Sequence, residues 1–218
     1  MIGSLLYVTT STLDSKQAIG MVARFQAAPK ESHVQAVKRI FRYLKGTIDI
    51  GLWYPSKNTF SLKAYSDAYW DGCVDDRKRT SGGSFFLGES LISWISKKQN
   101  SISLSTTEAE YITVAECCTQ VEWMKQTLQD IKVVFEEPTI IHCDNTSAIS
   151  LSKNPVQHSK AKHIPVKYHY LREQAASKNI RLEYISTQEQ VAYIFTKPLK
   201  KDVFEHLSQK LGVIPSPN

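Results

Sequence analysis

Three acidic residues, Asp67, Glu110 and Asp144, each fall at the edge of an apolar segment. Asp67 sits in AYSDAYWDG, among aromatic residues that otherwise read as a strand, and strands disfavour Asp. Glu110 lies in STTEAEY, where a long apolar-periodic segment begins. Asp144 ends the apolar run TIIHC, just before Asn145 and a second helix-like stretch, a strand-to-helix junction of the kind where α/β folds place functional residues. If the three elements are neighbours, the carboxylates converge. Clustered carboxylates raise one another's pKa unless a cation neutralises them, so the simplest chemistry is a hard divalent ion on oxygen ligands. Spacing alone leaves a second reading open, three unrelated surface acids, because Asp and Glu commonly occupy strand ends and first helical turns.

The elements that must position these acids follow from periodicity. Phe60, Leu62 and Ala64 alternate with Ser61, Lys63, Tyr65 and Asp67. The turn-like DGCVDDRKRTSGG then leads into SFFLGES and LISWISKKQ, so three strands follow one another as a meander. Ile112, Ala115, Cys118, Val121, Met124, Leu128 and Ile131 recur at helical spacing, with Thr106 and Thr107 as candidate caps and Glu108 as a first-turn or capping acid. TIIHC predicts a buried strand and TSAISLSK a helix. KHIPVKYHYLREQAASKN predicts another helix, followed by the strand IRLEYIST and the segment QEQVAYIFTKPL. The order βββ-α-β-α-β-α predicts a mixed sheet with helices packed on it.

Residues 1–55 read as a separate helical segment. In ESHVQAVKRIFRYLKGT, Ser32 can cap the helix, Val34, Val37, Phe41 and Leu44 form its apolar stripe, and Gly46 closes it. Lys38, Arg39, Arg42 and Lys45 flank the stripe, which is what a solvated helix face needs. The expected division is 1–55, 60–198 and a C-terminal helix and tail over 199–218.

The chain has 218 residues, 42% of them apolar, enough to bury a core. Its formal charge of +6 suits a polyanionic partner. Cys73, Cys117, Cys118 and Cys143 show no CxxC spacing, which argues against a zinc site or a disulfide framework and for a reducing compartment. The opening MIGSLLYVTT lacks a basic leader region, and no window approaches the roughly 18 apolar residues of a membrane span. The expectation is an intracellular protein of the cytoplasm, a virus-like particle or the nucleus, neither secreted nor in a membrane.

YSDA, STTEAEY, CDNTSAISLSKNP, AKHI, YHYLRE, EYISTQEQ and IFTKPL, in this order, resemble the ribonuclease H region that ends the Pol polyprotein of copia-type LTR retrotransposons. Upstream, IGSLLYVTTS, ARFQAAPKESHVQAVKRIFRYLKGT and GLWYP are similar to the segment that follows the reverse-transcriptase palm in those polyproteins. The resemblance implies a ribonuclease H-like α/β fold: a five-stranded mixed sheet flanked by helices and preceded by a small helical remnant of the thumb or connection. It implies an endonuclease that hydrolyses the RNA strand of RNA–DNA hybrids, holding two Mg²⁺ ions, or Mn²⁺, on four acids. By motif, Asp67, Glu110 and Asp144 carry over as the first three, and as metal ligands. The remainder of a Pol polyprotein is the implied protein partner. The adjacent aspartates of a polymerase site are missing upstream of Asp67, and Asp75-Asp76 lie in the wrong context, so no DNA synthesis is expected.

The fourth position departs from the family. Its motif is close to LADIFTKP, and here VAYIFTKP places Tyr193 where the acid would stand. A phenol is neutral at pH 7 and a poor ligand for Mg²⁺, so the resemblance implies a weakened second metal site and impaired turnover. Tyr69 and Pro165 also stand where the family usually has Asp, and TLDSKQ replaces a pattern like RPDI. The competing readings are a catalytically inactive nucleic-acid-binding module and a retrotransposon relic. Arg77, Lys78 and Arg79, with Lys97 and Lys98, are candidate phosphate contacts or plain solvated turns. Asn145 is a candidate reader of the minor groove, where 2′-hydroxyls mark RNA. Thr80, Ser81 and Gly82 are expected to shape a turn. His142 is expected as a satisfied core histidine, His163 as a packing or capping residue, and Trp94, Trp123, Tyr168 and Tyr170 as core or half-buried aromatics.

Overall fold

The structure, a computed structural model, describes residues 1–56, 59–69, 78–135, 137–153 and 166–216. Arg77, His163, Pro165, Cys73 and Asp75-Asp76 lie outside the described residues. The chain opens with α1 (Ile2–Val8), a 3₁₀ turn (Leu13–Ser15), α2 (Lys16–Ala23) and α3 (Glu31–Gly46). These bury a small core of Leu5, Ile19, Val22, Val37 and Ile40. In α3 the cap is Lys30, whose backbone N–H donates to His33 Nδ1 at 3.0 Å. Ser32 lies inside the first turn because the helix starts two residues earlier than its hydroxyl suggests. Ile40 takes the inward position expected of Phe41, which is 45% exposed.

β1 (Ile50–Leu52) follows and pairs antiparallel with the last strand, β7 (Val213–Pro215). The segment 1–55 is also tied to the main sheet. Trp94 Nε1 donates to Thr9 O at 3.2 Å, Arg24 donates to Thr80 Oγ1 at 3.3 Å, and Leu13 packs with Phe86, Leu91, Phe195, Leu207 and Leu211.

The meander is formed by β2 (Leu62–Tyr69), β3 (Thr80–Leu87) and β4 (Ser90–Lys98). Phe60 lies outside β2 and is exposed. Thr80 to Gly83 belong to β3 and not to a turn. The glycines serve close approach instead: a Cβ on Gly82 would lie 2.5 Å from Thr196 Cγ2, and one on Gly83 would lie 2.9 Å from Cys117 Sγ. The long helix α4 (Thr106–Asp130) is capped by Ser105, not by the threonines after it. Ser105 Oγ accepts from Glu108 N at 3.1 Å and Glu108 Oε2 accepts from Leu104 N at 2.6 Å, which satisfies two orphan amides at the helix start.

β5 (Thr139–Cys143), α5 (Thr146–Lys153), a 3₁₀ turn (Val166–His169), α6 (Tyr170–Ala176), β6 (Ile180–Tyr184), a 3₁₀ turn (Val191–Phe195) and α7 (Lys201–Lys210) complete the chain before β7. The main sheet runs β4-β3-β2-β5-β6, with β3 antiparallel to both of its neighbours, β2 and β4, and with β2, β5 and β6 parallel. α4 covers one face through Ala64, Phe85, Ile112, Cys118, Val121 and Ile141; the 191–195 turn and α7 pack on the other with Phe86, Leu91, Leu207 and Leu211. β2 is central and draws on both cores, which fixes its register because a one-residue slip would invert every side chain.

Candidate active site

Asp67 is out of step with its own strand. Lys63, Tyr65 and Tyr69, on the same face of β2, are only half-buried, whereas Asp67 is 3% exposed. The 3₁₀ turn 191–195 covers that point. Gln190 Nε2 donates to Ser66 O at 2.9 Å, Ser96 Oγ donates to Phe195 O at 2.6 Å, and the Thr196 hydroxyl donates to Asp67 Oδ2. Gly82 is paired with Asp67 across the ladder, and its missing side chain lets the turn approach.

Glu110 arrives from α4. Ser105 fixes the start of that helix, so Glu110 falls near its buried end, 5% exposed, and its Oε1 accepts from Ala68 N at 3.0 Å. This one bond clamps the helix to the residue after Asp67. A buried polar knot braces the same turn: Gln99 Nε2 donates to Ala109 O at 3.0 Å and Ser81 Oγ at 3.1 Å, and Ser103 Oγ donates to Gln99 Oε1 at 2.9 Å. Asp144 follows β5, parallel to β2, and accepts from Thr187 Oγ1 at 2.8 Å. Donor atoms of Glu110, Cys143 and Asp144 lie within 4.8 Å of one another. The structure therefore groups Glu110 and Asp144 with Cys143, while Asp67 is joined to Glu110 through Ala68 N and feels the charge of Asp144.

Burial and mutual charge act on this cluster. Asp67 is raised to about 7, first by burial and then by Asp144, against the Thr196 hydrogen bond and the Lys197 charge. Glu110 is raised well above the carboxylate range by burial, then by Asp67 and Asp144. The hydrogen bonds from Thr196, Thr187 and Ala68 are neutral: they orient oxygens without cancelling charge. A set of buried carboxylate oxygens, oriented and under-compensated, fits a hard divalent cation. Cys143 adds a thiol 3.9 Å from Glu110 Oε2, and burial pushes that thiol upward, so it packs as a neutral group.

Tyr193 lies on the turn beside Asp67 and contributes no carboxylate. Its hydroxyl accepts from Lys197 Nζ, which stands 3.7 Å from the Tyr193 ring centroid and 5.2 Å from that of Tyr69. Sequence reasoning picked out Tyr193 but missed Gln190, Thr196 and Lys197. The signal was present, since Gln190 ends EYISTQEQ and the other two lie in IFTKPL.

The basic candidates gather at one end of the sheet. Lys97 pairs with Ser81 and Lys98 with Thr80, one and two residues along from the Gly82–Asp67 pair, and Lys78 and Arg79 lead into β3. Lys97 pairs with Glu116 at 3.1 Å, which occupies part of its charge. Asn145 Oδ1 accepts from Ala148 N at 2.9 Å and so caps α5. His142 stacks on Tyr65 at 4.7 Å and is held below its usual range by burial; Trp123 is 59% exposed, unlike Tyr168, which is buried.

The sheet order β4-β3-β2-β5-β6, with helices packed on it, places this chain in the ribonuclease H-like fold class. Over 217 residues, the whole of the chain, it is 41% identical to the retrovirus-related Pol polyprotein from transposon RE1 of Arabidopsis thaliana. Over 213 residues it is 38% identical to that from transposon TNT 1-94 of Nicotiana tabacum. Along its whole length the chain is similar to one segment of these retrotransposon Pol polyproteins. It spans 15% of the length of the first relative and 16% of the second. No family model matches the chain. A solved RNase H1 isolated from compost by a metagenomic approach aligns with a TM-score of 0.42 and 11% identity, over 68% of this chain and 98% of that one.

Proposed function

We propose that this chain is a retroelement-derived ribonuclease H-type endonuclease acting on the RNA strand of RNA–DNA hybrids with chemistry of the two-metal type, whose second ion site is weakened and whose turnover is impaired at the fourth ligand position. The observation that carries the reading is that buried Glu110 lies against half-buried Asp144 and is bonded to the residue after buried Asp67, so that burial and the neighbouring acids, which come from three elements, raise Asp67 and Glu110. Asp67, Glu110 and Asp144 would hold Mg²⁺ or Mn²⁺. Such an ion, when bound, supplies a water of lowered pKa and positive charge at the leaving oxygen. The chain's own part is positioning. Thr196 and Ala68 N fix the oxygens of Asp67 and Glu110, and the turn 191–195 shuts water out of that side of β2. Lys78, Arg79, Lys97 and Lys98, together with Arg77, meet the phosphates of the hybrid, and Asn145 stands at the junction next to Asp144.

The experiment is hybrid cleavage in Mg²⁺ or Mn²⁺. Cleavage abolished by Asp67→Asn and accelerated by Tyr193→Asp is the expected result. A second reading, an inactive hybrid-binding module, is favoured by one observation: Lys197, and not a carboxylate, sits against Tyr193. If wild-type and Tyr193→Asp proteins are both inert yet bind hybrid with steep salt dependence, the second reading replaces the first.

A further inference from the structure

Asp67 and Tyr69 are two residues apart on β2, so their side chains leave the same face of the strand. Tyr193 comes to that face from the 3₁₀ turn, and Lys197 follows directly after Thr196, whose hydroxyl is bound to Asp67. The ammonium of Lys197 is therefore tethered beside Asp67 by one short stretch of backbone. Two tyrosine rings then fix it, with Nζ 3.7 Å from one centroid and 5.2 Å from the other, and with the Tyr193 hydroxyl as acceptor. Aromatic faces hold a cation without neutralising it, so the charge stays available to the neighbouring carboxylate.

We infer that Lys197 is a built-in counter-cation of this site: its ammonium, boxed by Tyr69 and Tyr193, takes the place of a second divalent ion beside Asp67, so the site takes one metal ion and not two. The inference rests on reading Asp67, Glu110 and Asp144 as metal ligands, and it deepens that reading by setting the stoichiometry. A second divalent ion would have to approach a fixed positive charge, with phenols as its nearest side chains, and phenols are poor ligands for hard cations.

The test is Mn²⁺ titration of the whole chain by calorimetry, with no nucleic acid present. Wild type is expected to bind one ion. Lys197→Met, or Lys197→Gln if the first variant folds poorly, is expected to tighten that ion on the order of tenfold, because a like charge next to a ligand carboxylate has been removed. Lys197→Arg keeps the charge and is expected to match wild type, which a purely structural role for the lysine would not require. Lys197→Met combined with Tyr193→Asp is expected to open a second Mn²⁺ site. Two ions on wild type, no ion on wild type, or an affinity unmoved or weakened by Lys197→Met would each overturn the inference. The readout separates it from the nuclease reading: an inert protein that binds one ion and responds to Lys197→Met refutes hybrid cleavage alone.

Discussion

Replacing Asp67 by Asn is expected to make the metal-free protein more stable. The carboxyl is buried, shares its surroundings with Glu110 and Asp144, and is raised from 3.8 to about 7. A group held above its unfolded value binds a proton more tightly when folded, so its contribution is intact below about pH 4 and is lost as pH rises through 7. A displacement of about three pH units at about 1.4 kcal/mol each sets a ceiling of about 4 kcal/mol at pH 8. Glu110 takes part of the same repulsion, so about 2 kcal/mol is expected for Asp67 alone, or roughly 4–8 °C in Tm for a chain of this size. Asn remains neutral throughout and still offers Oδ1 to the Thr196 hydroxyl. The assay is thermal unfolding followed by circular dichroism in chelator, at pH 8 and at pH 4.5. The variant is expected to be more stable at pH 8, with most of the gain gone at pH 4.5 and offset by Mg²⁺, which stabilises wild type alone. A variant less stable than wild type at pH 8, or displaced equally at both pH values, would refute the strained cluster.

Three further substitutions probe the scaffold. Gly82→Ala puts a Cβ 2.5 Å from Thr196 Cγ2 and 2.8 Å from Ala192 O. It is expected to cost about 1–3 kcal/mol in urea denaturation and to weaken Mn²⁺ binding by pushing the turn off Asp67. Gln99→Leu leaves the Ala109 carbonyl and the Ser103 hydroxyl without the amide that joins them; a loss of about 2 kcal/mol is expected, with faster hydrogen exchange confined to the start of α4. Ser105→Ala removes the α4 cap and is expected to cost about 1 kcal/mol, with a wild-type Tm as the contrary result.

The candidate acids drew attention because they stand where local propensity is violated, although spacing alone left the reading of unrelated surface acids open and the resemblance decided between them. Asp67 in an aromatic strand and Asp144 after TIIHC both mark points where a tertiary partner must compensate a local cost. The strands and the long helix were legible from periods of two and 3.6, which depend on one element at a time. What sequence missed depends on two elements meeting. Gly82 and Gly83 were read as turn residues because glycine usually punctuates, but here they clear space for Thr196 and Cys117. β1 and β7 are three residues each and pair across more than 150 residues of sequence, too short and too distant for a periodic signal. The helical segment 1–55 read as separate, yet Leu13 and Trp94 join it to the sheet through contacts that no local pattern announces.

The turn carrying Tyr193 holds its place without help from the side chain at position 193. Its attachments involve Gln190 to Ser66, Thr196 to Asp67, Ser96 to Phe195 and the space left by Gly82. None of them uses the side chain at position 193. These bonds hold the turn against the part of β2 that carries Asp67. The obstacle to a fourth ligand is then the identity of one side chain and the cation it holds, Lys197, and both can be changed without moving the sheet.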